Sequence, residues 1–267
     1  MNVSPKPVPA SNASPRIRPV VDARLLLGID DTDGLDSPGT GAIACEIANR
    51  LSVQPWATVG VVSAHQLYSH HDVPYTSFNR AMAFPLVVPV GFEDEVLRVA
   101  ATCVREFVGP GANPGLCLVP LDRLDNEAAL LDYAWCAKDQ VLGIPIAYAV
   151  AHKLGISLLD LGGNGAGVIG ALAACGLRLS GDDGRVWSPL PLPAQGGRWS
   201  VQELTERSGV HTVLSVRGER VEDEAIVEVG AEVWPILRDE RAVLLLTEAL
   251  VGEAPWRTCT DRELDVF

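Results

Sequence analysis

Leu25-Leu26-Leu27-Gly28-Ile29-Asp30-Asp31-Thr32-Asp33 is the stretch that decides the architecture. The apolar run Leu25–Ile29 is short and bounded by polar residues, which fits a buried strand. It ends in three carboxylates within four positions. Like charges so close raise one another's pKa unless a cation joins them. Hard carboxylate oxygens suit Mg2+, which commonly bridges protein carboxylates and nucleotide phosphates. Asp30, Asp31 and Asp33 are therefore candidate metal ligands. The competing reading is a solvated polar turn, because Asp and Gly dominate turns.

Beyond Asp33 the chain runs through a Gly-bearing loop to Gly39-Thr40-Gly41, and Ile43, Ile47, Ala48 and Leu51 then recur at helical spacing. A helix is predicted from about Thr40. A calcium loop opening at Asp31 would need Gly and Glu where Asp36 and Ala42 stand. A P-loop would need Lys where Thr40 stands. What remains is a helix start whose Gly39, Thr40 and Gly41 amides attract phosphate, with Thr40 either a plain N-cap or a hydroxyl near the γ-phosphate.

Further along, Thr58–Ser63, Ala81–Val90 and Leu116–Val119 read as strands, the last fed by a turn at Asn113-Pro114-Gly115. Asp94–Phe107, Glu127–Gln140 and Pro145–Leu154 read as helices. Gly162-Gly163-Asn164-Gly165-Ala166-Gly167 precedes a small-residue helix, Val168–Cys175, with Gly176 as its expected stop. Gly165–Gly170 matches GxGxxG literally, and Asp182 and Asp183 lie at a plausible distance for the acid of a dinucleotide fold. The flanking strands, near 158–161 and 177–179, make that unit too short. The loop is better read as a second phosphate-facing helix start involving Gly163, Asn164, Gly165 and Gly167, against glycines that only permit close packing.

Ser200-Val201-Gln202-Glu203 is a capping box opening a short helix. Strands are predicted at Val213–Val216, Ala225–Val229 and Ala242–Leu246. The expected organisation is a leader at 1–21, a nucleotide-binding domain at 22–180, a linker at 181–198 and a small α+β unit at 199–267. The fold class is α/β (α+β).

The 267 residues carry a net charge of −13, and the only lysines are Lys6, Lys138 and Lys153. That field opposes a polyanion. The six cysteines contain no CxxC pair, so no zinc site is expected. Cys45, Cys136 and Cys175 fall in helix-like apolar runs and are read as reduced core residues. No apolar run is long enough to span a bilayer and the N-terminus lacks the order of a signal peptide, so a cytoplasmic protein is expected.

These motifs in this order resemble the archaeal isoleucine-tRNA agmatinylcytidine synthetase family. The resemblance rests on Gly28–Asp33 with Thr40, Val73-Pro74-Tyr75, Asn113-Pro114-Gly115, Gly165–Ala174 and Val213–Glu219. It spans roughly residues 24–265. It implies a kinase-like ATP-binding domain followed by a ferredoxin-like domain, with ATP and Mg2+ as cofactors. Asp30, Asp31 and Asp33 would handle metal and phosphate, Thr40 would match the threonine of γ-phosphate chemistry, and Asp31, Asp33 and Thr40 would be catalytic. In the family ATP activates a cytidine carbonyl of a tRNA anticodon and agmatine displaces the phosphate.

The departures are specific. The family's OB-fold and zinc ribbon have no counterpart motifs here. Its basic K-T-R-G-N segment is replaced by Thr76-Ser77-Phe78-Asn79-Arg80, and Ala166 stands where the second loop carries Arg. From Ser200 onward 7 Arg face 15 Asp and Glu. His70, His71, Tyr75 and Arg80 fall in the acceptor-side loop, and Arg80 or Lys138 is expected to neutralise developing charge. The expected activity is ATP- and Mg2+-dependent phosphoryl transfer or ligation to a small-molecule acceptor, an amine among the candidates. The alternatives are a tRNA-modifying enzyme that relies on a partner for RNA binding, and a non-catalytic nucleotide-binding module.

Overall fold

The computed structural model describes residues 21–34, 36–71, 79–187, 197–230, 232–249 and 254–266. The fold is mixed α/β. Its backbone is a sheet that begins with β1 (Asp22–Asp30), flanked by two antiparallel neighbours. β1 alternates its contacts: Leu25, Leu27 and Ile29 face one layer of helices and Leu26 faces the other. A strand covered on both faces needs a continuous apolar run, and that is why Leu25–Ile29 shows no polar alternation.

The first layer is α1 (Thr40–Ser52), followed after β2 (Thr58–Val59), β3 (Ser63–Gln66) and β4 (Arg80–Pro89) by α2 (Glu93–Phe107). Ile43, Ile47, Leu51, Val96, Ala100 and Val104 from these two helices close over the Leu25–Ile29 face. The expected single strand Thr58–Ser63 is instead two short strands pairing with different parts of β4. Gly60, whose amide bonds the Pro85 carbonyl, lies between them.

The second layer follows β5 (Gly115–Pro120). It comprises α3 (Glu127–Asp139), α4 (Ile144–Lys153) and, after β6 (Ser157–Asp160), α5 (Gly167–Ser180). The site-bearing strands β4, β1, β5 and β6 are mutually antiparallel neighbours. The dinucleotide alternative needs a parallel unit, and β6 is antiparallel to its neighbour β5. Residues 177–179, considered as a strand, are the last turns of α5. Gly176 does not stop that helix. It lies inside it, where a Cβ would collide with the Leu130 carbonyl and Ala134, and the stop is Gly181 at φ 75°. Gly28 plays the matching part in β1, since a side chain there would overlap the Ala171 carbonyl of α5.

The remainder is β7 (Arg185–Val186), β8 (Gly197–Ser200), α6 (Val201–Ser208), β9 (Thr212–Ser215), β10 (Ile226–Val229), β11 (Ile236–Arg238), β12 (Arg241–Glu248) and β13 (Trp256–Thr258), ending in a 3-10 helix, Asp261–Val266. The Ser200–Glu203 capping box forms as expected. β7 was expected inside a linker. It pairs with both β3 and β11, joining the strands into one sheet, and Asp183, Arg185 and Val186 are buried. Residues 188–196 of that segment lie outside the described residues, as do residues 1–20 of the expected leader and Val73, Pro74 and Tyr75. All six cysteines are unpaired; Cys175 is buried, whereas Cys45 and Cys136 are only partly so. No helix among the described residues is long and apolar enough to cross a membrane.

Candidate functional site

The carboxyl end of β1, the start of α1, the start of β4 and the start of α5 converge on a cavity of about 590 Å3, within the range of small-ligand sites. Asp30, Asp31, Asp33, Thr40, Arg80 and Asn113 supply its polar wall. Leu67, Val141, Leu142, Ile144 and Ile169 supply the apolar one.

Asp30 ends the strand, and burial pushes its carboxyl well above the usual carboxylate range, with the charges of Asp31 and Asp33 adding to the effect. Its carboxylate occupies space that exists because residue 170 is glycine. Asp31 adopts a left-handed conformation, φ 53°, which Asp tolerates better than most residues. This turns the chain so that Asp31 Oδ2 accepts from Asn113 Nδ2 at 3.0 Å.

Asp33 folds back on the helix. Its Oδ1 accepts from the Thr40 amide at 2.6 Å and from the Thr40 hydroxyl at 2.9 Å. The Thr40 oxygen in turn accepts from the Thr32 hydroxyl at 3.0 Å. Each hydroxyl thus passes its proton towards Asp33, and ionised acceptors strengthen such chains.

This changes the expected role of the first glycine loop. Thr40 is the first helical residue and Gly39 the N-cap, which has no side chain to cap the helix. A carboxylate of the protein itself sits on the Thr40 amide where a phosphate oxygen was expected. The Gly39 amide donates to Ser37 Oγ at 3.2 Å, and Gly41 packs against the Trp187 indole. Neither Gly39 nor Gly41 lines the cavity.

The second loop is likewise tied inward. Asn113 is its hub: Oδ1 accepts from the Asn164 amide at 2.9 Å, and its carbonyl accepts from the Gly167 amide at 3.0 Å. Gly163, Asn164, Gly165 and Gly167 do not line the cavity, whereas Ala166 and Gly170 do. Gly167 and Gly115 let α5 meet the edge of β5 backbone to backbone. The packing reading of these glycines therefore has direct support. Asn113 is the functional candidate that the sequence reading passed over. Asn113-Pro114-Gly115 is legible in sequence as a turn and as one of the resembling motifs, and neither marks the Asn113 side chain. Tyr68, Asn79 and Gln140 also join the wall without having been singled out.

Lys138 is engaged elsewhere. It pairs with Asp183, which also bonds His65 Nδ1 at 2.9 Å, and it lies outside the cavity lining. His70 stacks on Tyr68 at 5.3 Å and touches His71 at 4.1 Å; neither histidine lines the cavity. Among the described residues no group of three or more His, Cys, Asp or Glu converges to hold a metal. Asp30, Asp31 and Asp33 line one cavity without forming a three-ligand cluster among the described residues.

No family model matches this chain, and no curated protein matches it either. Solved structures do. The complex of TiaS with an isoleucine tRNA and ATP aligns at 30% identity and a TM-score of 0.50, covering 58% of this chain and 36% of that one. The complex of TiaS with the tRNA, AMPCPP and agmatine aligns at 25% identity and a TM-score of 0.50, covering 68% and 43%. TiaS is described as a tRNA agmatidine synthetase. The chain thus spans well under half the length of these relatives. The family-level resemblance read from the motifs is supported.

Proposed function

We propose that this chain is the ATP-using core of a tRNA-modifying ligase of the agmatidine-synthetase kind, with the β1–α1 loop as its phosphate and metal pole. The observation that carries the reading is the cavity itself. A desolvated Asp30, a carboxylate-bonded Thr40 hydroxyl and the Arg80 guanidinium share one wall, in a chain similar to a protein solved with ATP and tRNA. Phosphoryl transfer depends on positioning and on charge neutralisation, and these groups supply both.

The residues fit Mg2+ as an ion shared with phosphate, for which one or two protein carboxylates suffice. Asp30 and Asp31 would hold it, and burial of Asp30 beside two further carboxylates calls for positive charge. When bound, the ion supplies neutralisation of phosphate charge. Asp33 orients Thr40 and accepts its proton, so the Thr40 oxygen has electron density to present to a γ-phosphate. Asn113 fixes Asp31 from the segment that leads into β5. The kinase-like description of residues 22–180 and the ferredoxin-like description of residues 199–267 belong to this reading.

RNA contacts would come from segments or a partner outside the matched portion, since the tail from Ser200 is acidic. That same acidity favours a second reading, in which the acceptor is a small molecule, an amine among the candidates, rather than tRNA. Titration calorimetry of ATP with Mg2+ into the wild type and the Asp31→Ala/Asp33→Ala double variant tests the nucleotide site. Metal-dependent binding lost in the variant is the expected result, and no binding by the wild type would overturn the reading. ATP turnover with agmatine, alone and with an isoleucine tRNA, separates the two acceptors. Stimulation only with tRNA supports the first.

A further inference from the structure

Arg80 is the one cation among the described residues that line the cavity. It opens β4, and its side chain is only 8% exposed. Two of its neighbours among the described residues are Gln66 and Asp261. Nε donates to Gln66 Oε1 at 3.2 Å, from the residue paired with it in β3. Nη2 lies 3.7 Å from Asp261 Oδ2, at ion-pair rather than hydrogen-bond distance. The other oxygen of Asp261 accepts from Arg185 Nη1 in β7.

Asp261 belongs to the far end of the chain. It opens the terminal 3-10 helix, which is anchored by buried Leu264 against Ile236, Val243 and Leu245. Leu264 also shares a crevice of about 10 Å3 with Gln66, Arg80 and Asp183, roughly the space of one water. The C-terminal segment therefore backs directly onto the cation of the cavity.

We propose that Asp261 is a positioning residue, holding Arg80 on the cavity wall so that its guanidinium meets an anionic ligand. The proposal rests on the reading of the cavity as an ATP site. A guanidinium stays charged when buried, so its direction is set by the carboxylates around it. Asp30, Asp31 and Asp33 line the same cavity. Asp261, which does not line the cavity, pairs with Arg80 from behind its wall and leaves Asp30 and Asp31 for metal. It also separates Arg80 from Arg185, which would otherwise repel across the same gap.

The test is the ATP–Mg2+ dissociation constant of the full chain in the wild type, Asp261→Asn, Asp261→Glu, Arg80→Gln and the Asp261→Asn/Arg80→Gln double variant, with melting temperatures measured alongside. Asp261→Asn should weaken binding about 5- to 20-fold, and the double variant should bind no more weakly than Arg80→Gln, as contacting residues couple. Asp261→Glu, which keeps the charge, should recover most of the affinity even if Asp261→Asn lowers the melting temperature. Wild-type binding with Asp261→Asn unchanged, or effects that add in the double variant, would overturn the inference and leave the ATP site standing. A wild type that binds no ATP would overturn both.

Discussion

The carboxylate of Asp30 lies where the side chain of residue 170 would be: a methyl built on Gly170 overlaps Asp30 Oδ2. The two residues come from the end of β1 and the first turns of α5, so the depth of the site is set by how closely that helix approaches that strand. Gly170→Ala should push Asp30 towards the aspartates beside it and weaken ATP–Mg2+ binding by about 10-fold or more. Overpacking costs about 1–3 kcal/mol, while alanine returns up to about 1 kcal/mol of helix propensity. A small change in melting temperature with a large change in affinity is the expected pattern. Unchanged affinity would mean that Asp30 takes no part in binding.

Asn113 joins the two loops through one amide: Nδ2 to Asp31 and Oδ1 to the Asn164 amide. Asn113→Ala removes both bonds, a loss of about 1–3 kcal/mol in a partly buried setting. Asn113→Asp keeps the acceptor but sets a second carboxylate against Asp31 at the 3.0 Å now spanned by a hydrogen bond. It should therefore bind ATP–Mg2+ more weakly than Asn113→Ala at neutral pH. An Asp variant that matched wild-type affinity would show that the Asp31 contact is incidental.

The Thr40 hydroxyl stands between Thr32 and Asp33. Thr40→Ser retains the oxygen and should keep most of the turnover. Thr40→Val keeps the shape and the amide bond to Asp33 but deprives Thr32 of its acceptor. Turnover should drop about 100-fold or more if proton transfer at this oxygen is part of the reaction, with ATP affinity little changed. Equal turnover in the valine and serine variants would assign Thr40 to the helix start alone.

Much of this arrangement was legible in sequence because its signals are local. The run Leu25–Ile29, the capping box at Ser200 and the helical spacing after Thr40 each specify an element from a few adjacent residues. Asp30, Asp31, Asp33, Thr40 and Arg80 come together at the cavity as the motifs suggested. What the sequence did not show depends on contacts between distant side chains. Asn113, before β5, reaches Asp31, after β1, and no pattern around Asn113 distinguishes that from a turn. Gly176 looks like a helix stop until Leu130 and Ala134 are seen against it. Lys138 was a natural partner for phosphate by charge alone, but buried Asp183 claims it. The segment 181–187 reads as linker because it is rich in Gly and Asp, yet Asp183 and Arg185 are buried by partners from elsewhere in the chain.

His65 is fully buried, with Nδ1 2.9 Å from Asp183 Oδ1 and Nε2 2.8 Å from Ser63 Oγ. Burial lowers its pKa below the ordinary histidine value; Asp183 opposes that shift, and Arg178 and Lys138 reinforce it. The imidazole is therefore neutral at pH 7, with Nδ1 donating to Asp183 and Nε2 facing the Ser63 hydroxyl, which also reaches the Ala83 carbonyl at 3.1 Å. Asp183 is itself depressed: burial raises its pKa, but His65 and Lys138 outweigh that and hold it ionised. Both shifts act in the same direction. The unfolded chain takes up a proton at about pH 6.5 that the folded His65 refuses, so stability falls as pH drops through about 6.5 towards the folded pKa. The Asp183 contribution is then lost at still lower pH, through its depressed folded value. Melting temperature measured from pH 8 to 5 should decline for the wild type and decline less for His65→Gln, which starts lower because burying an amide here leaves one of its bonds unmade. Ser63→Ala should cost about 1–3 kcal/mol by stranding Nε2. Replacing Asp183 with Asn should lower the folded His65 pKa further, since the carboxylate favours the charged ring. A wild type whose stability is flat across pH 7 to 5 would mean that His65 titrates alike in the folded and unfolded chain. The buried network joining β3 to the segment before β7 would then be a hydrogen-bonded strut without acid sensitivity.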